Sequence, residues 1–289
     1  DAVPITLGQE FSGYAAGIRR NRLLLERERA RWSTGVLGAT AVGTGMGCMP
    51  GFSEHIYKNL SAVCGREIRR DANLFDGLQA SDSFIILHAH LQALATVAAK
   101  AALDIRLMGS GPRAGFGDIV IPAVQPGSSI MPGKINPFMC DLVVQIMHQV
   151  AANDWAITMN ASAGDLDLAS NATVSFFALL QSLEMIGNGF ALFSEKCVEG
   201  IVANEAVCRR YAEESTSLAA IVSTLYGYET GSRIAGIAYR EGITCKEAAL
   251  REKLIPADAA EELFDVEALA HRAGSVALLK KYGGMRSIG

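Results

Sequence analysis

The chain has 289 residues, room for one large domain or two modest ones and for a sizeable buried core. Half of it is hydrophobic and 19% is charged, which excludes a disordered chain, and aromatics at only 7% favour close-packed helices over a β-sandwich. A net charge of −4 gives no electrostatic drive toward nucleic acid or an anionic membrane surface, so neither is an expected partner.

In chain order, Leu7, Phe11, Tyr14, Ile18, Leu25 and Trp32 recur at helical spacing and predict a first long helix. Its stripe from Arg19-Arg20 to Arg31, mixed with Glu26 and Glu28, reads as a solvated face or an intersubunit ion-pair zone. The run 38–51 (GATAVGTGMGCMPG) predicts a tight connection between helices; it contains neither GxGxxG nor GKS/T, which disfavours nucleotide binding. Phe84, Leu87, Leu91, Leu94, Ala98, Ala101, Ile105 and Met108 alternate spacings of three and four and predict a second long helix. A third is expected over 136–161 with Pro137 in its first turn, and a fourth along Phe176, Leu179, Leu183, Ile186, Phe190, Phe193 and Cys197. The stretch 89–107 is apolar on nearly every face, so it should be buried nearly all round, which favours a homo-oligomer over the alternative of a monomeric bundle with a large internal core. After Tyr228 the pattern shortens to helices near 231–239, 244–250 and 257–263. The expected fold is all-α: an elongated bundle of long helices over 1–228 and a small helical C-terminal domain over 229–289.

Cys48, Cys64, Cys140, Cys197, Cys208 and Cys245 show no CxxC or zinc spacing and read as reduced packing residues of a cytoplasmic protein, with Cys140 and Met139 in the core. The apolar runs carry Gln, His, Lys or Glu inside them, so neither a leader nor a membrane span is expected. His88 and His90 stand two apart on a helix and face away from each other, which makes a shared metal site improbable; they read as satisfied core or interface residues, and His55, His148 and His271 as structural or surface ones. No metal and no cofactor is expected.

Between Gly109 and Pro137 the helical rhythm stops, and the stretch holds five of the eight prolines. Loops this long are uncommon in compact domains unless they serve a site. Its end, GSSIMPGKINP (127–137), sets Ser128, Ser129, Lys134 and Asn136 among glycines and prolines just ahead of a predicted helix N-terminus, where free N–H groups and the positive end of the dipole favour anions. A carboxylate ligand suits that arrangement.

GSSIMPGKINP resembles the signature of the aspartase/fumarase superfamily and matches G-S-x-x-M-x-x-K-x-N at every fixed position. The resemblance extends over essentially the whole chain, through 1–11 (DAVPITLGQEF), 38–45 (GATAVGTG), 109–115 (GSGPRAG), Asn153-Asp154 and 195–208 (EKCVEGIVANEAVC). The GATAVGTG and EKC segments are more similar to aspartate ammonia-lyases than to class II fumarate hydratases. The resemblance implies cofactor-free elimination from a four-carbon dicarboxylate to give fumarate, first from L-aspartate with loss of ammonia, alternatively from malate; a non-catalytic helical oligomer is a further alternative. It implies Ser128 as general base, Ser129, Met131, Lys134 and Asn136 as substrate-binding residues, and Gly127, Gly133 and Asp141 as supporting ones. It also implies a homotetramer whose sites draw on three subunits, and a Thr-His pair and an N-terminal domain upstream of the segment matching Asp1, which these 289 residues are expected to lack. Asp141 stands where Glu is common in the family, and Asp167-Leu168-Ala169 where Glu-Leu-Asn or Gln-Leu-Asn is usual.

Overall fold

A computed structural model describes residues 2–283; Asp1, where the resemblance starts, and residues 284–289 lie outside the described residues. The elements run α1 (Leu7–Arg31), β1 (Thr34–Gly35), α2 (Phe52–Cys64), β2 (Arg69–Arg70), α3 (Leu74–Gln79), α4 (Asp82–Met108), β3 (Ile119–Val120), α5 (Phe138–Ala161), α6 (Ala172–Lys196), β4 (Val202–Ala203), α7 (Glu205–Glu214), α8 (Ala219–Tyr226), α9 (Tyr228–Glu241), α10 (Cys245–Arg251), α11 (Ala257–Leu263), α12 (Val266–Ala270) and α13 (Arg272–Tyr282). The fold is all-α; its strands are two-residue pairs, β1 with β2 in parallel and β3 with β4 antiparallel. The four long helices expected from the sequence are all present. Pro137 is not inside α5 but is its N-cap residue, at φ −80 and ψ 55, so the helix starts one residue after it.

The chain divides into two compact units, one built from Tyr14–Leu107 and Ile121–Ile201. In this bundle unit Leu91, Leu94 and Ala95 of α4 pack with Val150 and Ile157 of α5 and with Ala178, Leu179 and Ile186 of α6, while Ile18 and Leu25 of α1 cover the edge. Small residues set how closely the helices approach. A Cβ on Gly17 would sit 2.7 Å from Val97 Cγ1, and one on Gly189 would fall on Ile146.

Three helices are also joined by a buried polar chain. His88 of α4 is fully buried; its Nδ1 lies 2.9 Å from Asp154 Oδ1 of α5 and its Nε2 lies 2.8 Å from Ser182 Oγ of α6. The carboxylate facing Nδ1 assigns the ring proton there, so Nε2 accepts from the Ser182 hydroxyl, which in turn accepts from Asn153 Nδ2 at 2.9 Å. Asn153 Nδ2 also reaches Gln181 Oε1 at 2.9 Å. His88 is therefore a satisfied core histidine, the first of the two readings, core or interface, that the sequence offers for it. His90 faces Glu28 at 3.8 Å instead.

Burial on every face is not what a single chain shows. Phe176, Phe177, Leu180 and Leu183 of α6 and Trp155 and Met159 of α5 are exposed. By length and composition alone α4 and the stretch Ala172–Gly200 could cross a membrane, contrary to expectation, although 44% of the apolar window in α4 is buried against its protein neighbours. On α1, Arg22 pairs with Glu26 and Arg31 with Glu28.

The other unit takes in the described parts of Asp1–Gly13, Met108–Val120 and Val202–Gly289. Its core gathers Leu218, Val222, Leu225, Ile234, Ala248, Ala260, Leu263, Leu278 and Tyr282 from successive short helices. Position 228/229, where the sequence rhythm changes, falls inside this unit, at the junction of α8 and α9 where Gly227 takes φ 94. The Thr244 hydroxyl accepts from Glu247 N–H while the Glu247 carboxylate accepts from Thr244 N–H, a reciprocal cap that starts α10.

The polar chain makes a stability prediction. His88→Ala leaves Asp154 and Ser182 without their shared partner inside the bundle and should cost about 2–4 kcal/mol. Urea unfolding should show a lower midpoint at unchanged slope; an unchanged midpoint would mean the chain contributes nothing.

Candidate active site

The signature loop closes on itself before α5 begins. Gly127 N–H donates to Lys134 O at 2.9 Å, Asn136 Nδ2 donates to Gly127 O at 2.9 Å, and Lys134 N–H reaches back to Met131 O at 3.2 Å. Two glycines permit this. Gly133 sits at φ +81, a left-handed turn position that suits glycine. A Cβ on Gly127 would lie 2.7 Å from Lys134 O and 3.0 Å from Asn136 Oδ1, so only a residue without one lets the two limbs meet.

The closed loop borders a shallow concavity of about 440 Å³ lined by Ser128, Met131, Gly133 and Lys134 together with Gln125 and Ile135, among others. Ser128 is half-buried, and its Oγ accepts the N–H of Ile130 at 3.3 Å. Lys134 is exposed, and among the described residues its ammonium makes no ion pair. A hydroxyl and an uncommitted ammonium thus face one space with an apolar floor from Met131 and Ile135. Such a cleft can hold a small anion and keep it next to the serine oxygen.

The remaining sequence-selected residues divide. Ser129 is exposed and is not among the residues lining the concavity. Asn136 is half-buried, and its carboxamide nitrogen is spent on Gly127 O; in this structure it latches the loop, whereas the resemblance gives it a substrate carboxylate. Asp141, in the first turn of α5, pairs with Arg106 Nη1 of α4 at 3.0 Å. Arg106 was not singled out in the sequence, because nothing local announces a partner 35 positions away. Gln125 was likewise missed; its only signal is its place two residues ahead of the signature.

Cys140 is fully buried, as expected of a core residue, and Met139 is half-buried. His55 Nδ1 holds Gly51 O at 2.8 Å, His271 lies 3.3 Å from Gln9 Nε2, and His148 is exposed. Among the described residues no group of three or more His, Cys, Asp or Glu side chains is arranged to hold a metal ion.

An all-α bundle that carries this loop at the head of a long helix is the framework of the fumarate-lyase class, and comparison with known proteins places the chain. A lyase family model matches residues 1–152 and a fumarase C C-terminal model matches 218–271. The chain belongs to the aspartase/fumarase superfamily of lyases. It is 39% identical to the aspartate ammonia-lyase of Bacillus subtilis over 92% of this chain and 55% of that one. It is 36% identical to the class II fumarate hydratase of Halalkalibacterium halodurans over 95% of this chain and 59% of that one. Among solved structures it matches a fumarate lyase:delta crystallin from Brucella melitensis with a TM-score of 0.88 and 39% identity, covering 94% of this chain and 59% of that one. A class II fumarase from Schistosoma mansoni matches with a TM-score of 0.88 and 27% identity, over 93% and 60%. The chain spans somewhat more than half the length of these relatives.

The loop closure makes a prediction about accessibility. Gly127→Ala and Asn136→Ala should each open the loop, so limited trypsin digestion at the Lys134–Ile135 bond should quicken several-fold in both while the far-ultraviolet circular dichroism stays unchanged. Cleavage at the parental rate would show that the two contacts do not hold the loop.

Proposed function

We propose that this chain carries the proton-abstracting loop of a lyase that forms fumarate from a four-carbon dicarboxylate, L-aspartate being the first choice of substrate. The single observation that carries the proposal is that Ser128 and an unpaired Lys134 border one concavity at a self-closed loop. In this reading the Ser128 alkoxide takes the proton from the carbon next to a substrate carboxylate. The electron pair left behind moves into that carboxylate, and the double bond forms as it returns and expels the amine.

A serine hydroxyl is a poor base unless its alkoxide is stabilised. The Ile130 N–H directed at Ser128 Oγ favours the charged oxygen, and the Lys134 ammonium adds positive potential to the same cleft. Lys134 is also the group available to offset charge that builds on the substrate carboxylate, and the loss of one well-placed donor of this kind raises a barrier by about 3–4 kcal/mol. Met131 and Ile135 make part of the cleft lining apolar.

L-Malate, losing hydroxide in place of the amine, is the second reading. The similar identities to an ammonia-lyase and to a hydratase favour it nearly as well. The exposed apolar residues of α5 and α6 support a homo-oligomer, which we take to be a tetramer, and the free thiols support a cytoplasmic setting.

In the protein as its gene encodes it, ultraviolet detection of fumarate should show turnover with L-aspartate above that with L-malate. Ser128→Ala should lower turnover by about 10²–10⁴-fold with helicity intact. Faster turnover of malate would establish the second reading, full activity of Ser128→Ala would reassign the base, and no turnover of either substrate would favour a non-catalytic oligomer.

A further inference from the structure

Arg106 lies in the last turn of α4 and Asp141 in the first turn of α5, so each charge sits at the helix end that favours its sign. Within the bundle unit the two side chains meet, Arg106 Nη1 donating to Asp141 Oδ1 at 3.0 Å. They are 46% and 39% exposed, and a pair this open to water contributes little to folding stability. A short bonded path joins it to the signature loop. Asp141 N–H donates to Pro137 O at 3.0 Å, and Asn136, the neighbour of Pro137, holds Gly127 O at 2.9 Å. Ile135, two residues before Pro137, lines the concavity. With ~3.6 Å of reach per residue and one hydrogen-bonded turn, the Cα atoms of Ile135 and Asp141 are at most about 14 Å apart. At low salt, where the Debye length is ~30 Å, a charge is felt over that distance.

We propose that Arg106 is a positioning residue that acts through Asp141: by neutralising that carboxylate it keeps the N-terminal end of α5 attractive to a dicarboxylate held in the signature-loop concavity. The free N–H groups at the start of a helix carry the equivalent of about half a positive charge. A full negative charge on Asp141 alone outweighs that and turns the helix end against an anion. The Arg106 guanidinium stays charged at any working pH and returns the balance to positive. Lys134 then faces the ligand with a supporting field behind it and no opposing one. The inference rests on the reading that this concavity holds a dicarboxylate, and it does not require that elimination occurs there.

Equilibrium dialysis of radiolabelled succinate against the protein as its gene encodes it tests this. At ~0.01 M ionic strength Arg106→Gln should weaken succinate binding by about three- to tenfold, since both ligand carboxylates feel the exposed charge. Arg106→Lys, which keeps the charge, should bind as the parent does. Asp141→Asn should bind more tightly than the parent, and Arg106→Gln combined with Asp141→Asn, which removes both charges, should recover what the first change loses. At ~0.15 M, where the Debye length falls to ~8 Å, the gap between Arg106→Gln and the parent should close toward parity. Unchanged binding by Arg106→Gln, or no binding of succinate by the parent, would overturn the proposal. So would a loss that persists at ~0.15 M and is not recovered in the double variant, which would make the pair a mechanical clasp between α4 and α5. Because binding is read and not turnover, failure of this inference and failure of the elimination chemistry are told apart.

Discussion

The register of α5 against α6 is the constraint on which the bundle unit depends. Asn153, Ser182 and His88 are all buried, and only this alignment gives each of them partners. A slip by one helical turn would leave several buried polar groups unpaired, at about 1–3 kcal/mol each, and would drive Ile146 against a side chain larger than glycine. Apolar packing alone tolerates many alignments, because Leu, Ile and Ala surfaces are largely interchangeable. The polar chain removes that freedom. With α5 fixed lengthwise, its N-terminus is fixed too, and with it Pro137 and the loop that precedes it.

What the helix end supports is a loop with its own internal logic. The backbone bond from Gly127 to Lys134 and the side-chain bond from Asn136 to Gly127 close a ring that folds Ser128, Met131, Gly133 and Lys134 toward one space. Chemistry at such a site is electrostatic: an alcohol oxygen can hold negative charge only where donors are already oriented, and orientation is what a closed loop on a rigid helix provides. Arg106 belongs to the same scheme at one remove, since it engages Asp141 and so fixes a charge in the first turn of α5.

The long helices were legible because a 3–4 spacing of apolar residues survives along α4 and α6 and, less strictly, along α1, while Pro137 marked the start of α5; all four lie within a few residues of where they were expected. The short helices α2, α3 and α7 carry too few turns for a period to stand out, and the strand pairs join segments far apart in the chain, Thr34 with Arg69 and Ile119 with Ala203, with two residues each to signal them. In the loop the residue types could be read directly, since Pro fixes φ and Gly permits conformations closed to other residues, and together they mark an irregular backbone. The latch made by Asn136 could not, because an amide serves a ligand or a carbonyl equally well and only the fold decides. The partners of His88 lie 66 and 94 positions away, and that of Asp141 lies 35 away; no local pattern encodes them. Exposure of Phe177 and Leu180 shows the complementary limit: hydrophobicity predicts that a face will be covered, not by what.

The central claim is that Ser128 and Lys134 act as one unit in a shared cleft, and a double-mutant cycle on turnover tests it most directly. Groups that work together are non-additive. Steady-state rates of fumarate formation by Ser128→Ala, Lys134→Ala and the double variant, measured in the protein as encoded, should show the double variant no slower than the slower single one. Losses that multiply, with the double variant slower by the product of the two single effects, would mean that the serine and the lysine act independently and would contradict the account.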